Sequence, residues 1–191
     1  MNMPSKLLPQ RLLDCLNKNL LEPNHIKFNT DKWIYHDGIP ANAVIPESDR
    51  FEKVEAAMKK FLANYDANTI DTKAWTTHEW LHFIRYLPDN LSADDMKKID
   101  AAFHFTNSGN SEMADAWFEQ SINKGYKAAY PKMEKFLIGV GRRKFLTPLY
   151  KALLKTDDGK KTALEIYVKA RPNYHAIATR TLDELLGYRA D

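Results

Sequence analysis

Cysteine is almost missing from this chain: Cys15 is the only one in 191 residues. An intrachain disulfide and a multi-cysteine zinc site are therefore excluded. The lone thiol is expected to sit buried as a small apolar group. Glycine is also scarce, with seven residues, and strand-like alternation is rare, which leaves helices as the expected element. No run approaches the roughly 20 apolar residues of a membrane span. Residues 1–9 lack the apolar core of a signal peptide. No membrane partner is expected, and a cytoplasmic location is.

A strong excess of one charge is lacking too. The formal net charge is +3. Basic residues gather between Lys124 and Lys161, but acids interrupt them and no aromatic stacking motif accompanies them. This reads as a solvated basic face, and no nucleic-acid partner is expected. What the chain does contain, 44% hydrophobic and 28% charged residues, suits a globular protein with a sizeable core of its own.

The first part of the chain differs from the rest. Residues 11–21 read as one short helix stopped by Pro23. Residues 29–46 hold Asp37-Gly38, Pro40 and Pro46 and read as an extended connector. Trp33, Ile34 and Tyr35 within it are apolar enough to need a packing partner. From Ser48 onward helix follows helix. Ser48 can cap a helix carrying Phe51, Val54, Met58, Phe61 and Leu62. Thr76 caps the next, which ends before Pro88, and Ser92 with Asp95 opens a third through Phe103. Further helices are expected over 111–123, 127–138, 144–154, 160–170 and 175–186, with Gly187 closing the last. Short connections imply that successive helices pack as antiparallel neighbours. Eight such helices suggest a right-handed stacked array, and no fixed-period repeat is present.

One motif points to chemistry. His78-Glu79-Trp80-Leu81-His82 matches H-E-x-x-H, in which two histidines one helical turn apart hold zinc and the glutamate polarises a bound water. Three features oppose a zinc site here. Thr76 and Glu79 have the spacing of a capping box, which gives Glu79 a structural task. At about 100° per residue, Trp80, Phe83, Ile84 and Leu87 form one apolar stripe, which leaves His78 and His82 on a face expected to meet water. An aminopeptidase-type zinc site also needs a glutamate on a following helix. Ala101 stands where its spacing falls, and Asp100 beside it is shorter and displaced around the helix. No metal is expected in this chain.

Five segments, residues 31–40, 80–88, 110–117, 141–150 and the last helix from Tyr174-His175, together resemble the C-terminal domain of the leukotriene A4 hydrolase family of zinc aminopeptidases, including its bacterial members. Residues 31–40, DKWIYHDGIP, resemble the W-[IL]-Y-x-x-G-[ILV]-P stretch that leaves their catalytic domain. Residues 80–88, WLHFIRYLP, resemble their E-W-L-H-F-L-R-x-L-P helix. Asn110-Ser111-Glu112 followed by Trp117 resembles N-S-E-x-x-x-x-W. Gly141-Arg142-Arg143-Lys144-Phe145 with Pro148-Leu149-Tyr150 resembles G-R-x-K-F-x-x-P-L-[FY]. The last helix, after Tyr174-His175, resembles the family's H-P-[VI]-[TA] ending, with Ala176 in place of the proline. Order and spacing agree over residues 11–186.

The resemblance implies an all-α, right-handed, two-layered superhelix with armadillo-like stacking of antiparallel helices. It divides the chain into residues 1–46, the end of a catalytic domain and its connector, and residues 47–191, the helical C-terminal domain. The family's G-x-M-E-N and zinc-ligand elements are missing, so the chain itself is expected to be inactive, with zinc held by the parent enzyme's catalytic domain. It also implies that the C-terminal domain lends the substrate cleft cations that hold a peptide carboxylate. The matching residues are Arg142 and Lys144, while Arg143 falls at the variable position. Independently of the resemblance, three cations just after Gly139-Val140-Gly141 stand at a helix start, where the macrodipole opposes them by roughly 0.3–1 kcal/mol each. Such an arrangement suits an anionic ligand. Arg142 and Lys144 are accordingly expected to converge on an open surface without pairing to acids. The competing readings are a freestanding helical protein-interaction module and a metallohydrolase using His78, Glu79 and His82.

Overall fold

The computed structural model describes residues 48–189, together with residues 14, 15, 18 and 35–39. The chain divides between Glu47 and Ser48, and all the helices discussed below follow that division. The expected helix at 11–21 falls mostly outside the described residues, and Trp33 and Ile34 lie outside them. Tyr35 and Ile39 are exposed. Cys15 is exposed as well, against the expected burial.

Eight α-helices, and no strand, occur among residues 48–189: α1 (Arg50–Leu62), α2 (Thr77–Arg85), α3 (Ala93–Phe103), α4 (Ser111–Asn123), α5 (Tyr130–Gly139), α6 (Arg143–Leu153), α7 (Asp157–Ala170) and α8 (Ala176–Leu186). Their apolar faces, not their propensities, decide how they stack. Helices one step removed in sequence pack on one another: α2 on α4, α4 on α6, α6 on α8, and α5 on α7. Consecutive pairs such as α1 with α2 and α6 with α7 also touch. This alternation is what a two-layered helical stack requires, since every second helix returns to the same layer. None of these helices is long and apolar enough to cross a membrane.

The expected helix ends hold where a side chain makes the cap. Ser92 Oγ accepts from Asp95 N–H while the Asp95 carboxylate accepts from Ser92 N–H, a complete capping box. Gly187 closes α8 in the left-handed conformation, at φ +63°. His175 caps the start of that helix through Nδ1, which accepts from Ile177 N–H at 3.3 Å.

Three starts differ from expectation. Helix α5 begins at Tyr130, three residues after the expected Lys127, because Lys127–Ala129 forms a 3-10 turn. Asp49, not Ser48, is the residue before α1, and its carboxylate pairs with Lys53 at 2.7 Å. Helix α7 begins at Asp157, three residues ahead of the expected Lys160, because Thr156 caps it through a 3.0 Å bond from Gly159 N–H. Gly159 there is required by space. A Cβ on it would lie 2.1 Å from the Leu153 carbonyl oxygen.

The core is continuous and rich in rings. Phe61, Phe83, Phe103 and Phe105 meet at centroid separations of 4.8 to 6.2 Å, with Trp75 and Trp80 at the rim and Trp117 fully buried. The Trp117 indole donates to Thr106 Oγ1 at 2.9 Å, the partner a buried indole needs. Trp75 directly precedes the Thr76 cap of α2. Towards the end of the chain the polar tips of buried tyrosines are satisfied internally. Tyr174 donates to the Leu137 carbonyl at 2.6 Å, and Tyr167 donates to Asp183, which Arg171 grips with two nitrogens at 3.0 and 2.9 Å.

Candidate functional site

The H-E-x-x-H residues do not fit a zinc ion. Thr76 and Glu79 form the complete capping box: the Glu79 carboxylate accepts from Thr76 N–H at 2.9 Å and from the Thr76 hydroxyl. Arg50 of α1 binds the other Glu79 oxygen at 3.0 Å. The Thr76 bonds, with a smaller contribution from Arg50, hold the Glu79 carboxyl down at about 2, so it is an anion already fully engaged.

His78 is exposed, as the helical wheel implies. His82 is not: its side chain is only 11% exposed. Its Nε2 lies 3.0 Å from Glu55 Oε1, and its ring stacks on Phe51 at 4.4 Å and on Tyr86 at 4.1 Å. The wheel of α2 misplaces His82 because it cannot include α1, whose Phe51 and Glu55 cover that side. Asp100 is committed elsewhere, accepting from Thr106 N–H at 2.8 Å and from the Tyr126 hydroxyl at 3.0 Å. No group of three potential ligands able to hold a metal occurs among the described residues.

The cationic segment lies at the start of α6. Val140 ends α5 in an extended conformation, and Arg142 occupies the position before α6 with no side-chain cap bond. Both sequence-predicted residues lean on one ring: the Arg142 guanidinium sits 5.7 Å, and the Lys144 ammonium 5.4 Å, from the centroid of Phe145. Phe145 is buried, so it offers the two cations a fixed platform worth about 0.5–1 kcal/mol at such a rim. Arg142 and Lys144 are thus brought together.

They differ in their partners. Arg142 is exposed and forms no ion pair among the described residues, although its charge acts on Glu112. Lys144 is not free as expected: Nζ donates to Glu112 Oε1 at 2.5 Å and Oε2 at 2.6 Å. The Lys144 bond, with Coulombic help from Lys144 and Arg142, lowers the Glu112 pKa. The cost of cations at a helix start is therefore offset in part by an acid from the neighbouring α4.

Sequence reasoning missed a second feature of that seam. Glu112, Asp115 and Glu119 recur every three or four residues and so share a face of α4. Asp115 is 7% exposed, and its Oδ1 is buried without a hydrogen-bond partner. Burial first, then the Glu119 charge, pushes its carboxyl up to about 7, against the pull of Arg85 and Lys144. The acid periodicity was visible in the sequence; the burial was not.

Comparison with known proteins supplies the wider context. Residues 75–186 match the family described as "Leukotriene A4 hydrolase, C-terminal". Leucine aminopeptidase 2 of Ajellomyces capsulatus is 26% identical over 159 residues, covering 78% of this chain and 25% of that protein. Leucine aminopeptidase 2 of Pyricularia oryzae is 29% identical over 131 residues, covering 67% and 21%. The leukotriene A-4 hydrolase homolog of Botryotinia fuckeliana is 26% identical over 153 residues, covering 77% and 23%. The chain thus spans about a quarter or less of the length of these relatives. Among solved structures, native leukotriene A4 hydrolase from Saccharomyces cerevisiae superposes with a TM-score of 0.65 at 21% identity, over 94% of this chain and 32% of that one. With the match extending over more than half of its residues, this chain belongs to the leukotriene A4 hydrolase C-terminal family.

Proposed function

We propose that this chain is the non-catalytic C-terminal accessory domain of a zinc-dependent aminopeptidase. Residues 47–191 act as the helical domain, residues 1–46 as the end of a catalytic domain and its connector, and the whole works in the cytoplasm. The domain closes one side of the substrate cleft, and Arg142 and Lys144 hold the carboxylate of the peptide. The observation that carries this reading is Arg142: an exposed guanidinium in no ion pair among the described residues, held beside Lys144 on the Phe145 ring.

A planar guanidinium can take both oxygens of a carboxylate, while an ammonium adds a point charge with looser geometry. In this role the domain fixes the far end of the substrate, which keeps the reacting end aligned in the catalytic domain. The zinc, the general base and the attacking water belong to that catalytic domain. No step of the hydrolysis is assigned to residues of this chain.

The test is to introduce Arg142→Ala into the enzyme that pairs this domain with its catalytic domain. Loss of one charge-assisted contact, worth roughly 1.5–3 kcal/mol, corresponds to a fall in kcat/KM of about tenfold or more for free-acid tripeptides. Unchanged kcat/KM would refute the proposed role.

A further inference from the structure

A second feature of α6 begins beside Arg142 and runs towards the other end of the helix. A groove of about 600 Å³ runs along this helix, lined by Arg143, Lys144, Thr147, Pro148, Lys151 and Lys155, with Ala152 in its floor and Glu119 of α4 on one wall. Its volume falls within the range of ligand-binding clefts. Two of its four cations are already engaged: Lys144 by Glu112, and Lys155 by Asn123 Oδ1 at 2.8 Å. Arg143 and Lys151 are exposed and have no partner among the described residues. Eight residues of helix separate them, which at 1.5 Å per residue is about 12 Å.

The groove also carries unmet hydrogen-bonding capacity. Pro148 lies inside α6 and has no N–H, so the Lys144 carbonyl one turn earlier lacks its helical donor. A ligand that fits must therefore bring negative charge at two points and an N–H donor between them. Phosphate chains supply acceptors only. An extended peptide supplies both, and at about 3.3 Å per residue four residues cover the 12 Å.

We propose that the groove along α6 binds an extended acidic peptide segment, whose two carboxylates, four residues apart, meet Arg143 and Lys151. A backbone N–H between the two anchors faces the Lys144 carbonyl, and Glu119 disfavours a further acid there. This site anchors its ligand on Arg143 and Lys151 and takes no terminal carboxylate; it shares only the Lys144 main chain with the proposed carboxylate site, so its test is separate from that of the peptidase role.

The test is fluorescence anisotropy on the 191-residue chain with a labelled peptide Glu-Thr-Val-Thr-Glu, blocked at both ends so that it has no terminal carboxylate. Its glutamine counterpart should bind at least about tenfold more weakly, as should the glutamate peptide to Arg143→Glu or Lys151→Glu. Lys97→Glu makes the same change in net charge on α3, where Lys97 is exposed, and should alter affinity by no more than about twofold. Circular dichroism of each variant confirms that the helices persist; if a reversal unfolds the chain, Lys151→Gln and Arg143→Gln replace it with the same expectation. Equal binding of the two peptides, or equal loss in Lys97→Glu, would overturn the proposal. So would displacement of the peptide by an equal concentration of tripolyphosphate, which would mark a general polyanion surface.

Discussion

Lys144 reaches across from α6 to grip both carboxylate oxygens of Glu112 on α4, at 2.5 and 2.6 Å. The cation that the family resemblance assigns to a substrate thus already has an anion. A pair with one member half exposed contributes only about 0–1 kcal/mol, so a ligand carboxylate can exchange with Glu112 at little cost. In the whole enzyme, Glu112→Gln should therefore strengthen the binding of free-acid peptides by about two- to fivefold, measured as a lower KM or inhibitor constant. Weaker binding would mean that Glu112 instead holds Lys144 in place for the substrate.

The capping box at Thr76 gives a second expectation. Thr76→Ala removes the hydroxyl that serves both His78 N–H and the Glu79 carboxylate, and should cost on the order of 1 kcal/mol in a thermal or denaturant melt. The penalty should depend on pH. Glu79 has its pKa held at about 2 by Thr76, below its ordinary 4.5, so its stabilising effect is complete above pH 4.5 and is lost as the pH falls towards 2. Melts of the wild type and Thr76→Ala should accordingly converge in acid. A constant gap between them would separate the cap from Glu79.

Asp115 runs the other way. Its carboxyl is pushed up to about 7 by burial, so the folded chain favours the protonated form more than the unfolded chain does. Its contribution is neutral in acid and becomes a penalty as the pH rises from about 4 to 7, approaching at most ~4 kcal/mol at 1.36 kcal/mol per unit. Asp115→Asn removes the charge, and should flatten this part of the stability profile and raise the urea midpoint at pH 8. An unchanged slope between pH 5 and 7 would show that Asp115 ionises freely in the fold.

Much of the helical stack was legible in the sequence, because caps and periodicity are local. Ser92 with Asp95, Thr76 with Glu79, and Gly187 each mark a helix end from residues only a few positions apart. Helix α7 was placed late because Gly159 in its first turn reads as a breaker, and only the Leu153 carbonyl beside it explains why glycine stands there. The same limit governed the site. Arg142 and Lys144 could be named from their motif, but Glu112 is 32 residues from Lys144, and nothing local announces the pair. His82 was placed in water because one helix was read alone, whereas α1 supplies the Phe51 ring and the Glu55 carboxylate that cover it.

Whether Arg142 binds a substrate carboxylate is tested most directly by one comparison in the whole enzyme: the effect of Arg142→Ala on a tripeptide with a free C-terminal acid and on the same tripeptide as its amide. The amide offers no charge for the guanidinium to hold. The account predicts a fall in kcat/KM of about tenfold or more for the acid and less than about twofold for the amide. Equal losses for the two substrates would contradict it, and would make Arg142 a residue that shapes the start of α6 without reading the peptide.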